Sequence, residues 1–260
     1  TLLLNDELRR SAFAVRSLNV ELSKIASNSV VDQIGQIRFK FWLDSLEQCY
    51  LNKRYQIKDN PVLVELKYVI DRYHPKKLYL ERLITAREKF LNQSFTSLQD
   101  LENYAEESCS SLYYFLLELC GGSNELSQTV ASHVGKAQCI VSMLRAVSGQ
   151  TDDKVTQLCI PKDLLRKYDV KLGKYPLDCS VFEACFRELA TVASSHLEKA
   201  RSLKNDIPKD KRRLFLPAVH LVRFLDRCNK IKFKLVERDV RKRDAILPMS
   251  IYWSYLRGLY

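Results

Sequence analysis

Glycine and proline are scarce, with seven of each in 260 residues. So few turn-formers, beside many Leu, Glu, Lys and Arg residues, exclude a many-stranded sheet and favour long helices. Long apolar runs are also missing. The longest, Leu112–Cys120, is broken by Glu118 and is far too short to cross a bilayer as a helix. None of the eight cysteines forms a CxxC pair, and the four histidines lie far apart. Zinc-ligand spacing is therefore absent, which argues against a structural metal site. Most of the cysteines fall within apolar helical patterns, so they read as buried thiols of a reducing compartment. Strand alternation of useful length, internal repeats and low-complexity segments are lacking too. The expectation is a single all-α domain over residues 1–260.

What is present is positive charge. The formal net charge is +11 and the pI about 9.2. Such a surface suits nucleic acid, anionic lipid or an acidic protein. No helix-turn-helix, RNA-binding signature or aromatic platform accompanies it, so no nucleic-acid partner is expected. No signal or transit peptide stands in the sequence, and the start at Thr1 rather than Met leaves room for an upstream targeting segment removed earlier.

The chain divides into helices at clear punctuation. In the first segment Phe13, Leu18, Leu22 and Ile25 lie roughly on one stripe, and the next, about 30–52, carries Ile34, Ile37, Phe41 and, nearby, Leu46. Asn60-Pro61 and His74-Pro75 mark breaks around a short helix, and a longer one follows to about Asn92. Ser97 caps a helix that stops at Gly121-Gly122. Another runs from about Glu125 to Val147, before a loop ending at Pro161. After a short helix and the turn LGKYP, Ser180 caps a helix to about Leu203, and a last long helix covers about 211–230.

This order of segments resembles the squalene/phytoene synthase family across nearly the whole chain. The resemblance implies an all-α isoprenoid-synthase fold with two DxxxD motifs facing each other across a cavity. Positions i and i+4 stack on one helix face, roughly 6 Å apart along the axis. Two such carboxylate pairs can hold magnesium ions that bind a diphosphate and help it leave. Here the first motif's positions match Asn19 and Ser23; Glu21 between them is turned roughly 200° away from Asn19. The second motif resembles LGxxxQxxNIxRDVxxD. Gly135 and Arg145 are kept, while Cys139, Ser142, Ala146 and Gln150 replace the glutamine, the asparagine and both aspartates. The family's RxYxP becomes Gln157, Cys159 and Pro161, and the last glycine of its small-residue helix YCxxVAGxVG becomes Tyr113, a ring where the family leaves space.

Four blocks, SAFAVRSLNVELSKI, FKFWLDSLEQCY, LENYAEESCSSLYYFLLE and ASHVGKAQCIVSMLRA, resemble a subgroup of the family more closely. That subgroup assists assembly of mitochondrial NADH:ubiquinone oxidoreductase, complex I. The resemblance implies a non-catalytic protein without cofactor or metal, on the matrix side of the inner membrane. Its partners would be complex I subunits or other assembly factors, and the affected step would be biogenesis of the membrane-arm subunit beside the quinone site. A divergent prenyltransferase, or an isoprenoid- or lipid-binding protein, is the alternative.

Some residues allow two readings. Asp152 and Asp153 could replace the metal ligands or belong to a solvated loop. Arg145 could meet a phosphate, or pair with a carboxylate or helix end. His133 could be a general base or a structural histidine, and Lys136 could bind an anionic headgroup or sit on a solvated face. A basic segment carries Arg223, Arg227, Lys230, Lys232, Lys234, Arg238, Arg241, Lys242 and Arg243. It reads either as solvated surface or as a contact for anionic inner-membrane lipid or an acidic partner. Trp253, with Ile251, Tyr252, Tyr255 and Leu256, suits either a membrane interface or a helix docked on the core.

Overall fold

The computed structural model describes residues 1–28, 32–51, 60–149, 158–170, 179–234 and 244–260. Gln150, Asp152, Asp153, Gln157, the LGKYP turn, Arg238, Arg241, Lys242 and Arg243 lie outside them. The described residues are all-α. They form α1 (Asp6–Asn28), α2 (Asp32–Tyr50), α3 (Pro61–Tyr73), α4 (Lys77–Lys89), α5 (Leu98–Ala105), a π-helical turn (Glu106–Ser110) and α6 (Ser111–Leu119). After these come α7 (Glu125–Gly149), α8 (Lys162–Lys167), α9 (Cys179–Ser202), α10 (Lys209–Arg212), α11 (Pro217–Lys230) and α12 (Leu247–Arg257).

Local chemistry explains most boundaries. The Asn60 side chain accepts from the Val62 and Leu63 amides at the head of α3, with Pro61 at its first position. His74 ends that helix in the left-handed region at φ 47°, just before Pro75. Ser97 accepts from the Asp100 amide at the head of α5. Gly121 and Gly122, at φ 84° and 95°, turn the chain out of α6 in a conformation that side chains disfavour.

The helices stack in layers. The continuous α5–π–α6 segment runs through the middle. On one side α1 and α4 pack against it, backed by α2 and α3; on the other lies α7. α7 packs most extensively against α9, α11 covers both, and α12 lies on α11. One hydrophobic cluster extends from Leu4 to Tyr260.

Four expectations are corrected. Ile34, Ile37 and Phe41 face solvent at 48, 69 and 46% exposure, while Phe39, Trp42, Leu46 and Cys49 are buried. α2 carries two apolar stripes, and the one that meets α3 and α4 is the longer. Phe13 is likewise exposed, because the buried row of α1 is Val15, Leu18, Leu22 and Ile25, and a residue five before Leu18 sits roughly 140° round the helix. The last long helix is interrupted: α10 passes into a 3-10 turn (Arg213–Phe215), and α11 starts afresh at Pro217, which has no amide hydrogen to donate. α9 includes Ser180 rather than starting after it.

Candidate functional site

The region where the family motifs would meet is built on α1, α4, the π turn, α6 and α7. Asn19, on α1, points its amide oxygen inward. It accepts at 2.7 Å from the guanidinium of Arg87, on α4. Arg87 is 7% exposed and also donates to the carbonyls of Leu83, at 2.5 Å, and Ser108, at 3.3 Å. None of these acceptors is a carboxylate. A buried guanidinium is costly unless its donors are satisfied, and here neutral oxygens satisfy them. Ser23, one turn on, is exposed and bonds back to the Val20 carbonyl; Glu21 pairs on the surface with Lys24.

The second motif is likewise occupied by other contacts. Cys139 is buried against Cys109 of the π turn. A hydrogen bond from Cys139 and the nearby Arg87 guanidinium hold the Cys109 thiol below the usual range, while burial pushes Cys159 up to about 11. Ser142 bonds back to the Gln138 carbonyl. Arg145 bonds the His220 ring at 3.0 Å, and Ala146 is exposed. At Gly135 α7 passes close against the π turn. A Cβ there would lie 2.5 Å from Ser110 Cα and 2.6 Å from its backbone nitrogen.

Tyr113 is fully buried between these elements. Its ring stacks on Phe215 with centroids 5.8 Å apart, and Phe215 in turn meets Tyr260 at 5.4 Å. Its hydroxyl donates to Gln138 on α7. Arg16, one turn before Asn19, approaches the same hydroxyl, and burial pushes the phenol up to about 12.

These residues do not fit a magnesium–diphosphate pair. Magnesium held with a diphosphate takes one or two protein carboxylates beside the phosphate oxygens and waters. At the first motif the inward group is a neutral amide already bonded to a guanidinium, whose fixed charge repels a cation. No group of three or more metal-ligating side chains is found among the described residues.

A second polar cluster joins α5, α7 and α9. His196 Nε2 lies 3.0 Å from Glu102 Oε1, and His196 Nδ1 lies 2.8 Å from His133 Nδ1. The carboxylate fixes the tautomers: His196 donates from Nε2, so its Nδ1 accepts from His133 Nδ1–H. Glu106 beside them accepts from Ser132 and Tyr114, and Lys136 approaches it at 3.8 Å. His133 is thus a member of a hydrogen-bonded pair.

Burial, the His196 ring, Lys199 and Lys136 lower His133 to about 4; burial also lowers His196, partly offset by Glu102. Folding therefore favours both neutral rings. Their stabilisation is full above the unfolded value near 6.5 and is lost as pH falls from there towards 4. The pair is expected to contribute about 1–2 kcal/mol between those limits, after discounting for solvent screening. Urea midpoints at pH 7.5 and pH 5 measure it. The drop should shrink in His133→Gln/His196→Gln, and an equal drop in that variant would contradict the assignment.

Of the basic segment, Arg223 forms a two-pronged ion pair with Asp244 at 2.6 and 2.8 Å, and Arg227 approaches the same carboxylate at 3.3 Å. Lys230, Lys232 and Lys234 are exposed, and Trp253 is 59% exposed on α12. Sequence reasoning passes over Arg87, one of four charged residues in RLITAREK. The available signal was its register: it falls in the row of Leu80, Leu83 and Ile84, all buried.

The architecture is that of isoprenoid synthases. A dehydrosqualene synthase crystal structure superposes with TM-score 0.77 at 19% identity, covering 98% of this chain and 89% of that one. A squalene synthase from Alicyclobacillus acidocaldarius follows with TM-score 0.70 at 14% identity, covering 87 and 84%. The squalene/phytoene synthase family model matches residues 1–247, and the chain belongs to that family. Among curated proteins it is similar to the Drosophila melanogaster homolog of NADH dehydrogenase (ubiquinone) complex I, assembly factor 6. The identity is 37%, over 98% of this chain and 78% of the relative. The Homo sapiens assembly factor 6 is 31% identical over the whole chain and 78% of its own length.

Proposed function

We propose that this protein is a non-catalytic complex I assembly factor that keeps the isoprenoid-synthase scaffold, as one domain, and uses it to bind a partner. The partner is a complex I subunit, another assembly factor or a membrane-bound intermediate, met on the matrix side of the mitochondrial inner membrane. The observation that carries this reading is the Asn19–Arg87 bond. A buried guanidinium is bonded to the neutral side chain at the position where the family pattern has a metal-binding carboxylate. Tyr113, stacked on Phe215, adds packed ring volume beside it. The names of the full-length relatives supply the assembly role.

Titration of the purified protein with farnesyl and geranylgeranyl diphosphate, with and without magnesium, tests the reading. No binding and no turnover are expected; magnesium-dependent turnover would return a prenyltransferase with other metal ligands. Asn19→Asp sharpens the test. The new carboxylate is expected to pair with Arg87, changing stability by about 1 kcal/mol or less, because desolvation offsets much of the attraction. Melting temperature should not respond to magnesium. A magnesium-dependent rise would show that one carboxylate is enough to rebuild a cation site.

A further inference from the structure

We propose that α12 and the cleft on its flank form a docking site for a bilayer containing anionic phospholipid. This rests on the reading above, in which the protein works at a membrane, and deepens it by naming the surface and the lipid class. α12 is the one long helix without a buried residue to be found among those whose burial is described throughout. Ile246, Met249, Trp253 and Leu256 fall at three- and four-residue spacing, forming one stripe, with Tyr252 beside it. They are 55–74% exposed. Scattered exposed apolar residues are ordinary, but a continuous stripe of five large ones marks an interaction surface. Eleven residues are too few to span a bilayer, so such a helix would lie in the interface, where tryptophan and tyrosine are favoured.

The charge beside the stripe selects the kind of bilayer. The next face of α12 lines a cleft of about 360 Å3 with Ser250 and Ser254, together with Arg201, Lys204, Arg223, Val219 and Val222. Asp244 neutralises Arg223, which leaves Arg201 and Lys204 as the cleft's net positive charge. Arg257 lies over the Trp253 ring at 5.1 Å, and Arg213 over the Tyr255 ring at 4.9 Å, so further cations rim the stripe. The Ser250 hydroxyl is taken up by the Ile246 carbonyl at 3.1 Å, so the cations of the cleft are what match a lipid phosphate, and the stripe beside it matches acyl chains. The geometry seats the headgroup in the cleft and the aromatic side chains at the boundary of the acyl region.

Vesicle co-sedimentation tests the proposal, with phosphatidylcholine alone and with phosphatidylcholine containing phosphatidylglycerol. The protein should sediment with the anionic vesicles, and raising salt should weaken this. Trp253→Ser/Leu256→Ser should lower partitioning at least about tenfold, and Lys204→Glu at least about fivefold, on anionic vesicles only. All three side chains are at least partly exposed, so thermal melts should match the parent. No binding to anionic vesicles, or binding indifferent to the Trp253/Leu256 pair, overturns the proposal. Equal binding to neutral vesicles, or indifference to Lys204→Glu, overturns the headgroup assignment. Complementation of complex I assembly in cells lacking the protein separates the two readings. If the parent does not rescue, the assembly role fails whatever the vesicles show. If the parent rescues but does not bind vesicles, only the docking site fails.

Discussion

Gly135→Ala is expected to destabilise the protein by about 3 kcal/mol, the upper part of the usual range for overpacking. The added methyl would lie 2.5 Å from Ser110 Cα and 2.6 Å from its backbone nitrogen, where no side-chain rotation can relieve it. α7 or the π turn would have to move, and α7 is also held by α9 and α11. For a chain of this length the loss corresponds to a fall of roughly 6–12 °C in melting temperature. Urea denaturation measures it directly. Ser110→Gly should not rescue the variant, because the contacts that matter are with backbone. A loss under about 1 kcal/mol, or full rescue by Ser110→Gly, would mean that α7 is not fixed at this crossing.

Tyr113→Ala should cost about 3–5 kcal/mol, the range for removing a large buried ring. The change deletes the stack on Phe215 and leaves Gln138 without its donor. Tyr113→Phe separates the two contributions. It keeps the ring and should cost about 1–2 kcal/mol for the unpaired amide oxygen. Denaturant midpoints of the three proteins give both numbers. If Tyr113→Ala were as stable as the parent, the ring would be a movable cover over a chamber rather than part of the packing. The packed ring volume that supports the non-catalytic reading would then be lost.

Much of the fold was legible because its signals are local. Asn60-Pro61, His74-Pro75, Ser97 and Gly121-Gly122 act on their own helix ends through hydrogen bonds and backbone preference, and each stands at a helix end in the structure. The π turn was not legible. Nothing in EESCS departs from helix-compatible composition, and the wider turn carries Ser110, against which Gly135 of α7 packs closely. α2 shows the same limit differently. Both of its apolar rows have helical spacing, so periodicity could not tell Ile34, Ile37 and Phe41 from Phe39, Trp42 and Leu46.

The candidate site divides along the same line. That Asn19, Ser23 and Ala146 are not carboxylates is a matter of residue identity and needs no coordinates. What took their place does. Arg87 lies 68 residues from Asn19, Gln138 lies 25 from Tyr113, and His196 lies 63 from His133. Residue type says that a guanidinium or an imidazole must find partners if it is buried, but not which ones. Partners are chosen by how the helices pack, because burial and desolvation depend on every neighbour at once, whereas capping and helix propensity depend on a few adjacent residues.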